Sequence, residues 1–167
     1  PDFVLREFGG TIDGRLPTAE SPAFQLALFC RYAPVDTAPG WQLLERTDDR
    51  CGAPVEVVSQ RVAAGELVTV PEVDPDAALL VAYEPDRSAA DVVASTLFKP
   101  LGHPTLTIDG QEWRVLPGTS TTPALIGVPD GSPWSWQVGI EPTRPGQLSV
   151  DRPGRLRLLV VTVDRAP

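Results

Sequence analysis

Thr105-Leu106-Thr107-Ile108-Asp109-Gly110-Gln111-Glu112-Trp113-Arg114-Val115-Leu116 is the stretch whose chemistry fixes the class of fold. Two alternating runs flank Asp109-Gly110. Glycine accepts positive φ without steric cost and aspartate tolerates it, so the pair favours a type I′ turn and a two-residue hairpin. Short strand signals recur outward from this hairpin in both directions. Upstream lie Asp2 to Phe8, closed by Gly9-Gly10, then Phe24 to Tyr32, Trp41 to Arg46, Val55 to Val62, Glu66 to Val70 and Ala78 to Tyr83. Downstream lie Ala124 to Val128, Trp134 to Ile140, and a last run with Leu156, Leu158, Val160 and Thr162 on one face. In residues 23–32, Phe24, Leu26, Leu28, Cys30 and Tyr32 alternate as a strand would, although Phe29 falls on the other face. One helix is expected, from about 88 to 99. Ser88 is placed to cap it, Asp91 sits three residues on, and Pro100 ends it.

About ten short strands with turn signals every 8–12 residues predict an all-β fold. The expected architecture is a single antiparallel β-sandwich over residues 1–167, jelly-roll-like, with a closed barrel as the alternative. Composition agrees. The chain has 167 residues, 42% of them hydrophobic, with 14 Gly and 19 Pro, which disfavours long helices. The net charge of −8 argues against nucleic acid and against anionic membrane surfaces as partners. No apolar run approaches the length of a membrane span. The chain has no Met, so Pro1 is expected to begin an excised fragment or a processed product. It also has no Asn, which removes any acceptor for N-glycosylation.

Cys30 and Cys51 are the two cysteines, and His103 is the single histidine. This set completes no zinc site. The intervening strand, turn and return strand could bring the sulfurs together. The expectation is a disulfide and an extracytoplasmic compartment, with two buried thiols or one reactive thiol as alternatives. No metal or cofactor is expected. Asp48 with Asp49, or Asp74 with Asp76, could offer oxygen ligands, but neither pair stands in a calcium-loop spacing. His103 lies between Gly102 and Pro104 with no nucleophile elbow near it. The carboxylates are scattered rather than paired as glycoside hydrolysis requires.

Aromatic placement is the most suggestive chemical feature. Trp134 and Trp136 stand two apart, so a strand would point both to one face, with Val138 and Ile140 continuing the row. Such a row is core-like. An indole left exposed near the strand end would instead offer a flat apolar partner to a sugar ring. Gln137 and Arg144 are the nearest polar groups for the ring hydroxyls, and Trp113 and Trp41 are the other candidate platforms. Arg155 and Arg157 share the face opposite Leu156 and Leu158 and read as a solvated strip.

Several segments taken in order carry a resemblance. They are Trp41-Gln42-Leu43-Leu44-Glu45-Arg46, Asp49-Arg50-Cys51-Gly52, Thr96-Leu97-Phe98-Lys99-Pro100, the hairpin with Val115-Leu116-Pro117-Gly118-Thr119, and the strand Leu156 to Val163. Together, over about residues 24 to 163, they resemble the extracytoplasmic β-sandwich domains that follow the membrane spans of large actinobacterial membrane proteins, many glycosyltransferase-like or uncharacterised. The resemblance implies a non-catalytic accessory domain that binds cell-wall carbohydrate or packs on a membrane-protein partner, and it transfers no catalytic residue. A small carboxylate-dependent glycoside hydrolase is the enzymatic alternative. A structural or assembly subunit of a surface or phage-like particle is the third reading.

Overall fold

The computed structural model describes all residues except 8–13, 88, 97–102, 116–121, 130, 131, 133, 135–143 and 165–167. In chain order the elements are strand β1 (Phe3–Glu7), a 3-10 turn (Pro17–Ala19), helix α1 (Pro22–Arg31) and strands β2 (Tyr32–Ala38), β3 (Trp41–Arg46), β4 (Val55–Val62), β5 (Val68–Thr69) and β6 (Ala77–Pro85). Helix α2 (Ala89–Thr96) follows, then strands β7 (Thr105–Ile108), β8 (Gln111–Arg114), β9 (Ala124–Gly127), β10 (Gln147–Val150) and β11 (Gly154–Thr162).

The turn takes the geometry its residues demand, with φ of 47° at Asp109 and 84° at Gly110. β7 and β8 pair across it from Ile108 opposite Gln111 to Thr105 opposite Arg114. The rest of the sandwich is nested around this tip. β6 pairs with β9, β5 with β10 and β4 with β11, each antiparallel. Lateral pairing of β11 with β6 and of β10 with β7 then gathers these ribbons into two four-stranded sheets, β4-β11-β6-β9 and β5-β10-β7-β8. This is the strand order of a jelly roll, as the alternating runs predicted. The Asp109 carboxylate helps hold it: it accepts from the backbone N–H of Gly146 at 3.0 Å and of Gln147 at 2.8 Å, tying the hairpin tip to the start of β10.

Alternation assigns the two faces of each sheet. Leu106, Ile108, Trp113, Leu148 and Val150 line the inner face of one sheet; Leu79, Val81, Tyr83, Leu156 and Leu158 line that of the other, and all are buried. The opposite face of β4-β11-β6-β9 is buried too, at Ala78, Leu80, Leu125 and Val161. Its cover is a third layer built by the N-terminal quarter. β1, β3 and β2 form a three-stranded antiparallel sheet, and α1 packs on β9. Phe29, Leu28 and Leu44 from this layer join the same continuous core. Thr18 Oγ1 donates to the Leu125 carbonyl at 2.5 Å, which satisfies a buried hydroxyl at the seam.

Residues 22–31 correct the strand expected there. Phe24, Leu26, Leu28 and Cys30 do alternate, but the same residues also satisfy a helical period. Leu26, Phe29 and Cys30 fall three and four apart on one face, and Phe29, out of phase for a strand, is buried. Ser21 precedes a proline at the first turn, and Ala23, Gln25, Leu26, Ala27 and Leu28 are good helix formers. Phe24 is left 56% exposed. Among the described residues there are therefore two α-helices rather than one, on a framework that remains mainly antiparallel β. α2 forms inside the expected window; Ser88 and residues 97–99 lie outside the described residues. Val92 and Val93 of α2 are exposed rather than packed, and Asp91 pairs with Arg152 at 3.1 Å. β2 and β10 were not anticipated. The strand expected over Trp134 to Ile140 lies almost wholly outside the described residues.

Cys30 and Cys51 form a disulfide, with Cα atoms 5.3 Å apart. It joins the end of α1 to a segment that runs beside β11, where Gly52 N–H donates to the Thr162 carbonyl at 3.0 Å and Asp164 N–H to the Arg50 carbonyl at 2.8 Å.

Two stability outcomes follow from this architecture. Gly110→Val should lower the urea midpoint by the equivalent of about 1–2 kcal/mol, since a β-branched residue resists positive φ. An unchanged midpoint would contradict the turn geometry. Replacing both cysteines by alanine should cost about 3 kcal/mol, the loop-closure entropy of a 21-residue separation. Parallel denaturation of the oxidised and reduced wild-type chain checks this.

Candidate functional site

The residues singled out as a sugar platform do not assemble into one among the described residues. Trp134 is only 2% exposed. Its ring meets Phe29 edge-on at 5.7 Å between centroids, and the Arg6 guanidinium lies 5.5 Å from its centre. The indole is thus a wedge between the N-terminal layer and the sandwich, and no sugar can reach either ring face. Trp113 is equally buried, facing Leu106 across the hairpin. Trp136 and Gln137 lie outside the described residues.

Arg144 has a structural task. Its Nη2 donates to the carbonyls of Pro75 at 2.6 Å, Asp74 at 3.1 Å and Ala77 at 3.4 Å, and its Nη1 to that of Val73 at 3.4 Å. A planar guanidinium is suited to collecting several carbonyls, and here it fastens the loop that leads into β6. The cleft of about 440 Å³ beside it is walled by Val70, Val73, Leu79, Val128 and prolines, so its one cation is already committed.

The carboxylates and arginines weighed for chemistry are likewise bound into structure or spread over the surface, and His103 is half-buried with its Nδ1 enclosed and no hydrogen-bond partner on it. The only group of three potential metal ligands among the described residues is Cys30, Asp49 and Cys51, and both of its sulfurs are in the disulfide. Arg31 donates to the Asp49 carboxylate at 2.9 Å, and with the Cys51 N–H it holds that carboxyl below the usual range. A general acid needs the opposite shift. Arg155 donates to Ser59, and Arg157 pairs with Glu84 at 3.2 Å, which makes the expected solvated strip a cross-strand ladder.

The surface that does stand out is the outer face of β1-β3-β2. The register sets Phe3 opposite Glu45, Leu5 opposite Leu43 and Glu7 opposite Trp41. Directly paired residues point to the same side. The inward residues Val4, Arg6, Gln42 and Leu44 pack on the rest of the molecule, with Leu44 and Gln42 fully buried. The outward set leaves Phe3 53%, Leu5 64% and Trp41 42% exposed. From β2, Asp36 pairs with Leu43 and Ala38 with Trp41, while Val35, at the bulge, is half exposed. The result is a flat apolar block, Leu5 and Leu43 at its centre and an aromatic ring at each diagonal end. Three of its four side chains are 42% exposed or more, and the register sets them side by side on one face. Sequence reasoning named Trp41 only as a secondary platform. The signal that would have found the block is the alternation of Phe3 with Leu5 and of Trp41 with Leu43.

No family model, curated protein or solved structure matches the chain.

Arg144→Met should release the loop before β6 without disturbing any ligand site. The expected result is a stability loss of about 1–2 kcal/mol and faster amide exchange at Ala77, whose N–H donates to Asp74. Unchanged exchange there would show that the guanidinium is not what holds the loop.

Proposed function

We propose that the chain is a non-catalytic accessory domain that works outside the cytoplasm and docks on a partner protein through the outer face of β1-β3-β2. The observation that carries this reading is the exposed block Phe3, Leu5 and Trp41 on a sheet whose other face is fully used. Antiparallel sheets commonly keep one face wet, but that face is normally polar. An apolar one remains exposed at a cost unless something covers it. The Cys30–Cys51 disulfide supports an oxidising compartment. No described helix is long and apolar enough to cross a membrane, which is compatible with docking on a membrane-embedded partner. The resemblance to domains beside the spans of actinobacterial membrane proteins points to such a membrane-embedded protein.

Cell-wall carbohydrate is the second reading, favoured by one observation. Trp41 is the described indole that keeps an accessible surface, at the end of a strand and beside Glu7. A ring could stack there while the carboxylate met its hydroxyls.

A photo-cross-linking residue at position 5, in the full chain returned to its own cells, separates these readings. The control position is 67, where Leu67 is 66% exposed away from this sheet. Docking predicts a discrete protein adduct from position 5 that position 67 does not give and that Trp41→Asp reduces. Trp41 emission that shifts on titration with arabinan, galactan or mannan fragments, with no such adduct, would transfer the assignment to carbohydrate. Equal adducts from both positions would overturn both readings of this face.

A further inference from the structure

Resting on the docking reading, the charge pattern of the same face specifies the partner's chemistry. We infer that the occupant is a protein surface with an apolar centre flanked by lysine or arginine side chains, and that neither a second copy of this chain nor an anionic lipid surface fits.

The argument begins with the register. On the outer face the apolar block is interrupted by Glu45 opposite Phe3, by Glu7 opposite Trp41 and by Asp36 opposite Leu43. Three carboxylates thus border four apolar side chains, and the same register sets no lysine or arginine on the outward face. Arg6 belongs to the inward set and lies over Trp134, and Arg46, exposed at the end of β3, is paired with Tyr32 on the side of the strand opposite to Glu45. Among the described residues neither Glu7 nor Glu45 has an ion-pair partner. Beyond Glu45 the surface continues into an open groove of about 850 Å³, where Asp2, Asp48 and Asp49 join Glu45 against Arg31 and Arg46. Arg31 is already held by Asp49.

Covering the block removes water from Leu5, Leu43, Phe3 and Trp41 and brings the partner within a few ångströms of Glu7, Glu45 and Asp36. A carboxylate that loses solvent in this way needs a cation or it opposes the contact. A second copy would bring two sets of three carboxylates together, and the register sets no cation among them on the outward face of either copy. An anionic bilayer would repel the same groups, and the chain as a whole, at −8. A cationic, apolar-centred surface satisfies both the rings and the carboxylates. Each aromatic ring has its carboxylate directly across the strand, so one arginine or lysine could reach both a ring face and an acid.

The test uses defined probes on the full chain. They are a soluble peptide of alternating lysine and leucine, its glutamate and leucine counterpart, and phosphatidylglycerol vesicles. The readout is the emission lost in Trp41→Phe, a difference that removes the contribution of Trp113, Trp134 and Trp136. The lysine peptide is expected to blue-shift Trp41. Its affinity should fall about tenfold when salt is raised from about 0.05 M to about 0.5 M. E7K/E45K should weaken it by about tenfold or more and let the glutamate peptide bind instead. E72K/E112K changes net charge equally at exposed sites outside the face and should alter affinity by less than about threefold. Equal weakening by both double variants would overturn the inference, because general attraction to an acidic chain would explain it. Binding that survives E7K/E45K but is lost in Leu5→Asp would overturn the charge pattern and leave docking intact. Binding insensitive to Leu5→Asp would overturn docking itself. Leu5 is mostly exposed, so that variant keeps the fold, and an unchanged urea midpoint verifies it. A Trp41 shift with the anionic vesicles, or a dimer in sedimentation that E7K/E45K strengthens, would replace the proposed occupant with lipid or a second copy.

Discussion

Everything in this molecule is arranged around the pairing of β6 with β11. Nine residues on each strand face one another, from Gly154 opposite Pro85 to Thr162 opposite Ala77, and Ala77 to Tyr83 are buried on both sides. A strand with both faces dry must satisfy its backbone polar groups within the sheet. β6 does so between β11 and β9, and β11 between β4 and β6. The closeness of the fit shows at Gly154. A Cβ there would lie 2.5 Å from the Glu84 carbonyl oxygen and 2.8 Å from the Tyr83 ring, so only glycine lets the strand begin. Two apolar faces then require two covers. The sheet β5-β10-β7-β8 supplies one, and the N-terminal layer supplies the other.

The second cover explains the face proposed for docking. A three-stranded sheet laid on a core turns Val4, Gln42 and Leu44 inward, and its alternate residues must turn outward. In a sheet selected only for covering, those alternate positions would be polar, as Ser59, Arg155 and Arg157 are on the exposed part of β4 and β11. Here they are Phe3, Leu5, Leu43 and Trp41. β4, an edge strand of the sandwich, is treated differently, although Val55 and Val57 are exposed on it too. It carries a bulge at Val57, and Glu56 and Arg61 face solvent. Both features discourage edge-to-edge pairing. The contrast between a blunted edge and an unblunted face supports the proposal of a partner.

Legibility in the sequence followed the locality of each signal. The Asp109-Gly110 turn is decided by two residues, and it was read correctly. The jelly roll followed from it, because a nested antiparallel topology needs only short alternating strands and tight turns. The cysteines were readable because an intervening strand and turn bring their chain segments back together. The helix at Pro22–Arg31 was misread because a short apolar run satisfies period two and period 3.6 alike, and the tertiary demand for Phe29 decided between them. β2 was hidden by Pro34 and by the bulge at Val35. The core-like row headed by Trp134 signalled its burial, but its partners Phe29 and Arg6 lie more than a hundred positions away and no local pattern names them. Trp41 was visible as a candidate, but its companion Leu5 lies on another strand, and only the register brings them together.

The remaining question for a docking face is how load reaches the core, because a small sheet pulled from outside could peel away. Arg50 and the disulfide answer it. Arg50 Nη2 donates to the Phe29 carbonyl at 2.7 Å and the Tyr32 carbonyl at 3.3 Å, closing the end of α1 where β2 begins. Its guanidinium also lies 6.0 Å from the centre of the Phe29 ring. The Arg50 carbonyl accepts from Asp164, and Cys51 bridges to Val163 at the end of β11. One short segment therefore grips the helix that carries the outer sheet and the central strand of the sandwich, with a covalent bond across the joint. A force on Leu5 or Trp41 passes through β3 and Arg50–Gly52 into β11, the strand with the most extensive pairing in the described structure. The joint lies where a contact on the outer sheet would load it, and breaking the disulfide should weaken attachment of the layer before it disturbs the sandwich beneath.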